Sequence, residues 1–311
     1  MRTHLGTLGR RRAALLVSLA LGTMLAGVVP AVGQPTPTTP GFSFQGEGDQ
    51  RVESRDARTG RVDPTAAQRA AADALGATVA RWNEFGTPRV LFNTDGYLSA
   101  PRGGSAVEAA RGFVSDNREL FRLSEAGVAG LEVVRDTPLY DSPDLAKVRE
   151  GQPAADPDVA HVVLFRQTFG DLDAAWDGLL TVGVQRDGRV GWVSSSLTAD
   201  EAVSGTRSLG AVAAIQAAAD DAGLELGDLS PVEADGPWTT FSSSLVRDVQ
   251  RARLMALPTP TDGVRLVWET TLLKADHDDR EQDGHPAAFI SFVDAETGKV
   301  LLRDNRVDHL A

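Results

Sequence analysis

Histidine would have to supply most ligands of a hydrolytic zinc site, and this 311-residue sequence contains only five histidines. The pattern His-Glu-x-x-His does not occur, so no two imidazoles lie one helical turn apart with a carboxylate base between them. The Gly-x-Ser-x-Gly elbow, the phosphate-binding P-loop and the dinucleotide fingerprint do not occur either. We therefore expect no catalytic residues and no bound cofactor, and leave open a Ser, His and Asp triad assembled from distant positions.

One dense polar cluster, residues 276–285, combines carboxylates with two histidines. Carboxylate oxygens suit calcium and imidazoles suit a transition metal, so the cluster offers weak metal candidates in Asp276, Asp278 and Asp283. The EF-hand spacing is not kept, because Arg280 stands where a third ligand would be needed. We therefore predict a solvated hairpin loop here and no metal site.

The five tryptophans could form a stacking set for sugars or peptides, but their contexts differ. Trp192 and Trp268 lie within strand-like patterns, which predicts that both pack in a core. Trp176 lies in a polar link before a strand, which makes it a candidate exposed anchor for a partner.

The N-terminus has the composition of an export signal. Arg2 and Arg10 to Arg12 precede an apolar run, and small residues precede Gln34, which predicts a removable signal over 1–33 and a secreted protein. An uncleaved anchor and a twin-arginine signal are the alternatives. Loss of the four arginines would take the formal net charge from −12 to −16, which disfavours nucleic acid and anionic membrane surfaces as partners. The absence of cysteine excludes disulfides.

Residues 34–64 are rich in proline and charge and predict a flexible linker. A short helix should follow at 66–75. Ser105 and Glu108 have the spacing of a capping box, which predicts an amphipathic helix over 105–120. An antiparallel sheet should pack on it, with Asp187-Gly188 as a hairpin turn and strands at 131–140, 159–169, 177–185 and 189–197.

The rest of the chain repeats this plan. Ser208 should cap a helix that ends before Gly223, and a closing hairpin should turn at residues 296–298. The strands should lie near 229–235, 250–257, 264–273, 286–293 and 299–304. The hairpins at 179–195 and 288–304 share a strand, acidic glycine turn, strand pattern, a weak sign of duplication. The sequence thus predicts an α+β protein of two units, each a helix packed on an antiparallel sheet.

Segments 81–100, 120–136 and 161–197 resemble the FTP (fungalysin/thermolysin propeptide) domain, and 266–269 with 292–309 look like a PepSY-type module. The likeness covers about 75–308, although residues 171–176 replace a shorter link in the family. The positions that match the family motif are Arg81, Asn83, Phe85, Gly86, Thr87, Arg166, Gln167, Phe169 and Gly170.

The resemblance implies two cystatin-like or PepSY-like units, an FTP-like one at 65–200 and a PepSY-like one at 201–311. It also implies a non-catalytic pro-region that acts as chaperone and inhibitor of a secreted zinc metallopeptidase, whose catalytic domain would be the partner. Two alternatives stay open: the N-terminal part of a longer fungalysin-type precursor, and an extracellular PepSY-type binding module unrelated to peptidases.

Overall fold

The computed structural model describes residues 52–139, 160–199, 202–274 and 287–307, which form an α+β fold of mostly antiparallel sheets with few helices. The predicted signal 1–33 and the metal candidates Asp276, Asp278 and Asp283 lie outside the described residues. The helices are α1 (Ala66–Ala74), α2 (Ala106–Asp116), α3 (Glu125–Ala129) and α4 (Ala211–Ala222). The strands are β1 (Arg55–Asp56), β2 (Val79–Trp82), β3 (Pro88–Phe92), β4 (Glu132–Leu139), β5 (Ala160–Arg166), β6 (Thr168–Phe169), β7 (Leu172–Asp173), β8 (Leu179–Val184), β9 (Val190–Ser195), β10 (Val203–Ser204), β11 (Leu229–Asp235), β12 (Trp238–Ser243), β13 (Gln250–Pro258), β14 (Val264–Lys274), β15 (Ala287–Asp294) and β16 (Val300–Asn305).

The first sheet has the strand order β2-β3-β9-β8-β5-β4, and α2 packs across it. The predicted capping box at the start of α2 is confirmed: Ser105 Oγ accepts from Glu108 N, and the Glu108 carboxylate accepts from Ser105 N at 2.8 Å. The helix ends at Asp116, earlier than predicted, because the Asn117 side chain donates to Phe113 O. The chain then turns back and buries Phe121 against Phe113 in an edge-to-face contact.

The predicted hairpin at Asp187-Gly188 joins β8 to β9. Gly188 has φ = +78°, and a Cβ atom added to it would lie 1.8 Å from the Arg102 carbonyl oxygen. Glycine is therefore required here both for the turn and for the close approach of the segment that leads into α2.

The second sheet has the order β1-β16-β15-β14-β13-β12-β11, with β10 pairing in parallel with β14. Alternate residues of its strands pack against α4, among them Ala252, Trp268, Leu272 and Phe289. The prediction that Ser208 caps α4 is wrong: Gly210 occupies the cap without a side-chain bond, and Ser208 N donates to Ala295 O. The prediction of the helix end is confirmed, because Gly223 adopts the left-handed conformation with φ = 67°.

Residues 52–64, the described part of the predicted linker, make defined contacts and are called the strap below. The strap contributes β1 to the second sheet, where Arg55 and Asp56 pair with β16. Farther along, Val62 N donates to Glu84 O beside the first sheet. The strap therefore contacts elements of both sheets, which a freely flexible linker would not do.

Candidate functional site

Asn83 and Thr87, two positions of the family motif, form a buried hydrogen-bonded lock at the end of the first sheet. Asn83 Oδ1 accepts from the N–H groups of Phe85 and Thr87 at 3.0 Å, which closes the turn between β2 and β3. Asn83 Nδ2 donates to Thr87 Oγ1 at 2.8 Å and to Leu197 O at 3.2 Å. Thr87 Oγ1 donates to the same carbonyl at 2.5 Å. The motif thus fixes this turn to the chain segment that follows β9.

Gln167 extends this lock by one residue. Its Nε2 donates to Thr198 O at 3.0 Å, and its Oε1 accepts from Thr198 N at 3.2 Å. The side chain is 1% exposed, so it serves as a substitute strand partner for residue 198 inside the core. The sequence placed Asn83 and Gln167 in separate motif segments, and the structure brings them to adjacent residues of one segment.

Phe169 and Gly170, two further motif positions, lie at the turn of the small β6–β7 hairpin. Gly170 has φ = +62°, and Phe169 is buried against Ala256 and Val264 of the second sheet. The chain continues past β7 to Ala175, whose N–H donates to Ala256 O at 2.8 Å. Residues 171–176, the segment that departs from the family pattern, therefore run along β13 where β12 does not reach.

The remaining motif positions contribute no side chain to the buried hydrogen-bonded lock. Arg166 bridges Glu132 and Asp173 at 2.8 and 3.0 Å, Phe85 is buried, and Arg81 is exposed. Gly86 has φ = +72° and approaches the Val62 carbonyl of the strap too closely for a Cβ atom to fit easily. The contacts that these motif residues make within this fold are thus structural ones.

The two tryptophans predicted to be core residues differ in burial. Trp268 is 4% exposed, and its Nε1 donates to Leu209 O at 3.0 Å. Trp192 is half-buried and lies across the ladder from Gly183, where a Cβ atom would fall 2.2 Å from its Nε1. The absent side chain at Gly183 makes the room for this indole.

Trp176, the predicted exposed anchor, is 44% exposed. Its backbone has φ = 64°, a left-handed conformation that costs an L-residue other than glycine about 1–2 kcal/mol. Its ring makes an edge-to-face contact with Phe292 of β15, with centroids 6.2 Å apart. A large aromatic side chain is therefore held at the surface in a conformation that glycine would adopt without strain.

A buried ion pair holds Asp177, the residue after Trp176. Arg58 of the strap donates to Asp177 Oδ2 at 2.7 Å and to Pro258 O at 2.8 Å, and its side chain is 4% exposed. Burial raises the pKa of Asp177, and the nearby carboxylates of Glu84 and Asp56 add to this effect, so the lowering effect of Arg58 does not prevail. Arg58 stays charged, because two carboxylates outweigh the cost of its burial and raise its pKa.

One outer strand of each sheet, β4 in the first and β11 in the second, carries features that discourage pairing with another chain. Each contains a proline, Pro138 in β4 and Pro231 in β11, and each has a register shift. Proline cannot donate to a ladder, and an irregular edge cannot continue one smoothly. These edges are therefore poor surfaces for strand addition.

The face of the second sheet that points away from α4 is half covered. Ala175 and Trp176 lie over one part of it, where Met255, Phe292 and Leu302 are buried. The other part, called the open face below, carries side chains that are half-buried or exposed. The open face consists of Trp238, Thr240, Arg251, Thr271, Leu273 and Ile290.

An aromatic and cationic cluster lies at one side of the open face. The guanidinium groups of Arg251 and Arg253 lie 4.9 and 4.5 Å from the centroid of the Trp238 ring. Arg253 also binds the Glu269 carboxylate, at 2.7 Å from Nε and 2.6 Å from Nη2. Arg251 is exposed, and no carboxylate pairs with it among the residues that the structure describes.

A surface depression of about 480 Å³ lies between α2 and the segment 98–102. Its polar groups are already engaged, because Arg102 pairs with Asp116 and Asn117 bonds to Phe113 O. Within the described ranges, no three His, Cys, Asp or Glu side chains are grouped to hold a metal ion. None of the helices in those ranges is long and apolar enough to cross a membrane.

Comparison with known proteins gives no family assignment. No family model matches the chain, and no curated protein matches it. Among solved structures, the Bacillus megaterium YpeB C-terminal domain is similar over 71% of this chain and 73% of its own, at 13% identity and a TM-score of 0.29. A TM-score this low supports no conclusion about the fold or function of this chain.

Proposed function

We propose that the chain is a non-catalytic, pro-region-like protein that acts as chaperone or inhibitor of a secreted zinc metallopeptidase. One observation supports this more than any other: Asn83, Thr87 and Gln167, which carry the resemblance, act together. They fix two consecutive residues, Leu197 and Thr198, through four hydrogen bonds of 2.5–3.2 Å. A coincidental sequence match would give no reason for its polar residues to lie together in one buried cluster.

We also propose a more specific fold assignment. Each unit would be cystatin-like or PepSY-like, with α2 on the first sheet and α4 on the second. The hairpins β8–β9 and β15–β16 would then be equivalent, as the repeated sequence pattern predicts. Export would follow from the signal at 1–33, and the predicted PepSY-like unit would begin close to residue 201.

An inhibitor of this kind needs a surface and no chemistry of its own. A folded domain that covers a cleft excludes substrate, and covalent attachment to the peptidase would raise its effective concentration to about millimolar for a short linker. A separate chain has only the affinity of its contacts.

The test uses the purified chain without residues 1–33 and the catalytic domain of a fungalysin-type peptidase from the same organism. The peptidase is unfolded and refolded with and without the chain, and its recovered activity and the inhibition of native enzyme are measured. Serum albumin at equal concentration is the control for non-specific protection. The expected result is a higher refolding yield or inhibition that albumin does not give. If no such peptidase responds in either assay, the proposal is wrong.

The second candidate, a binding module unrelated to peptidases, is favoured by the open face of the second sheet. That surface can be tested without reference to a peptidase, as described next.

A further inference from the structure

We propose that the open face of the second sheet binds a protein segment that carries a single carboxylate beside apolar side chains. The inference rests on the side chains of this face and does not depend on the partner being a peptidase.

Arg251 would supply the contact with the carboxylate. It is exposed, it has no carboxylate partner within the described part of the chain, and its guanidinium lies over Trp238. The planar guanidinium can donate two parallel hydrogen bonds to a carboxylate while its face stays on the indole. Stacking restricts the side chain before binding, which reduces the entropy lost when a partner arrives.

Arg253 has a different role, because its charge is already matched. Glu269, whose side chain is 12% exposed, holds it from within the sheet. Arg253 therefore contacts Trp238 with its charge already paired, and among the described residues Arg251 is the cation of the cluster that no carboxylate pairs with. The cluster is thus built to accept one negative group.

The apolar part of the open face lies beside this cation. Ile290 is paired with Thr271, which is paired with Arg251, so the three form one row across the sheet. Leu273 lies two residues farther along β14 and is 39% exposed. Trp176 borders the face through its contact with Phe292 of β15, and Trp238 belongs to β12, three strands away in the sheet. A segment between them would contact aromatic, aliphatic and cationic groups together.

The overall charge limits the partner further. With a formal net charge of −12, the chain repels a strongly acidic partner at long range. At physiological salt this repulsion is screened beyond about 8 Å, so one local carboxylate can still pair with Arg251. The surface therefore fits an apolar segment with one acid and does not fit a polyanion.

The experiment selects random peptides displayed on phage against the full immobilised chain, and then tests the enriched peptides against two variants. Arg251→Glu changes the open face, and Arg89→Glu makes the same charge change at an exposed arginine of β3 in the first sheet. We expect the enriched peptides to carry Asp or Glu next to apolar residues. Arg251→Glu should weaken their binding about tenfold or more, through loss of a charge-assisted hydrogen bond, and Arg89→Glu should not.

Leu273→Asp provides a second variant if Arg251→Glu fails to fold, since it places a negative charge on the same face at an exposed side chain. It should also weaken binding. The proposal is overturned by a selection that enriches nothing, by enriched peptides without acidic residues, or by equal weakening in the Arg251 and Arg89 variants.

Discussion

Replacing Thr87 by valine removes one hydroxyl from the buried lock and keeps the shape of the side chain. Thr87 is 0% exposed, and its Oγ1 donates to Leu197 O and accepts from Asn83 Nδ2. The variant loses both hydrogen bonds. Leu197 O still accepts from Asn83 Nδ2 at 3.2 Å, so neither partner is left entirely without a bond. At about 1 kcal/mol for each bond, the free energy of unfolding should fall by about 2 kcal/mol.

Urea unfolding followed by circular dichroism measures this change, with the free energy extrapolated linearly to water. A loss of about 2 kcal/mol corresponds to a fall in Tm of about 4–8 °C for a domain of this size. The matched control is Thr137→Val in β4, where the side chain is exposed and makes no described hydrogen bond. The control should change stability by less than about 0.5 kcal/mol. If Thr87→Val is as stable as the control, the lock does not stabilise the fold and the argument is refuted.

Three further predictions follow from other contacts. Gly183→Ala should lower the free energy of unfolding in urea by about 1–3 kcal/mol, because the new Cβ would overlap the Trp192 ring. The control Gly103→Ala, which has open space around it, should leave the stability unchanged, and equal stability of the two variants would contradict this packing. Arg58→Met should lower the free energy of unfolding by about 3–5 kcal/mol at neutral pH, since it leaves Asp177 buried without its partner. The loss should be smaller in acid, because the raised pKa of Asp177 lets this carboxylate take up a proton as the pH falls. A loss of stability that does not depend on pH would refute this. Burial acts to raise the pKa of Asp294, but hydrogen bonds from Thr297 and Arg265 lower it below its usual value. The stabilisation by Asp294 is therefore present above the pKa of the unfolded state and is lost as the pH falls through the pKa of the folded state. Asp294→Asn should make the free energy of unfolding depend less on pH in acid, and an unchanged pH dependence would count against this assignment.

Local signals in the sequence were sufficient wherever the structure is set by neighbouring residues. The capping box of α2, the left-handed Gly223 and the turn at Asp187-Gly188 each depend on a few adjacent residues, and all three are confirmed. The cap of α4 was mispredicted because Ser208 has the right residue type at the wrong position. Its N–H is engaged by Ala295, a partner that is distant in sequence.

Several strands could not be predicted for a related reason. The pair β2–β3 is joined by a turn whose geometry is set by the Asn83 side chain, and four of the six residues of β12 are threonine or serine. A strand of this kind is stabilised by its neighbours in the sheet, and its own sequence shows little alternation of apolar and polar residues. The sequence could not show that Asn83 and Gln167 meet at residues 197–198.

The open face was missed entirely at the level of sequence. Arg251, Thr271 and Ile290 belong to three strands, and only the register of the sheet places them in one row. The alternation of Arg251 and Arg253 was the one available signal, since two arginines at strand spacing point to the same face. Trp238, which stacks on both, belongs to the unpredicted β12.

The strap joins residues that are about 250 positions apart, because Glu53 O accepts from Arg303 and Val52 O accepts from Asn305. Such contacts raise the contact order, and high contact order slows folding. As the chain is synthesised, residues 55–56 emerge early but have no strand partner until β16 has followed. The second sheet therefore gains its outermost strand, β1, only after its last strand, β16, has been made.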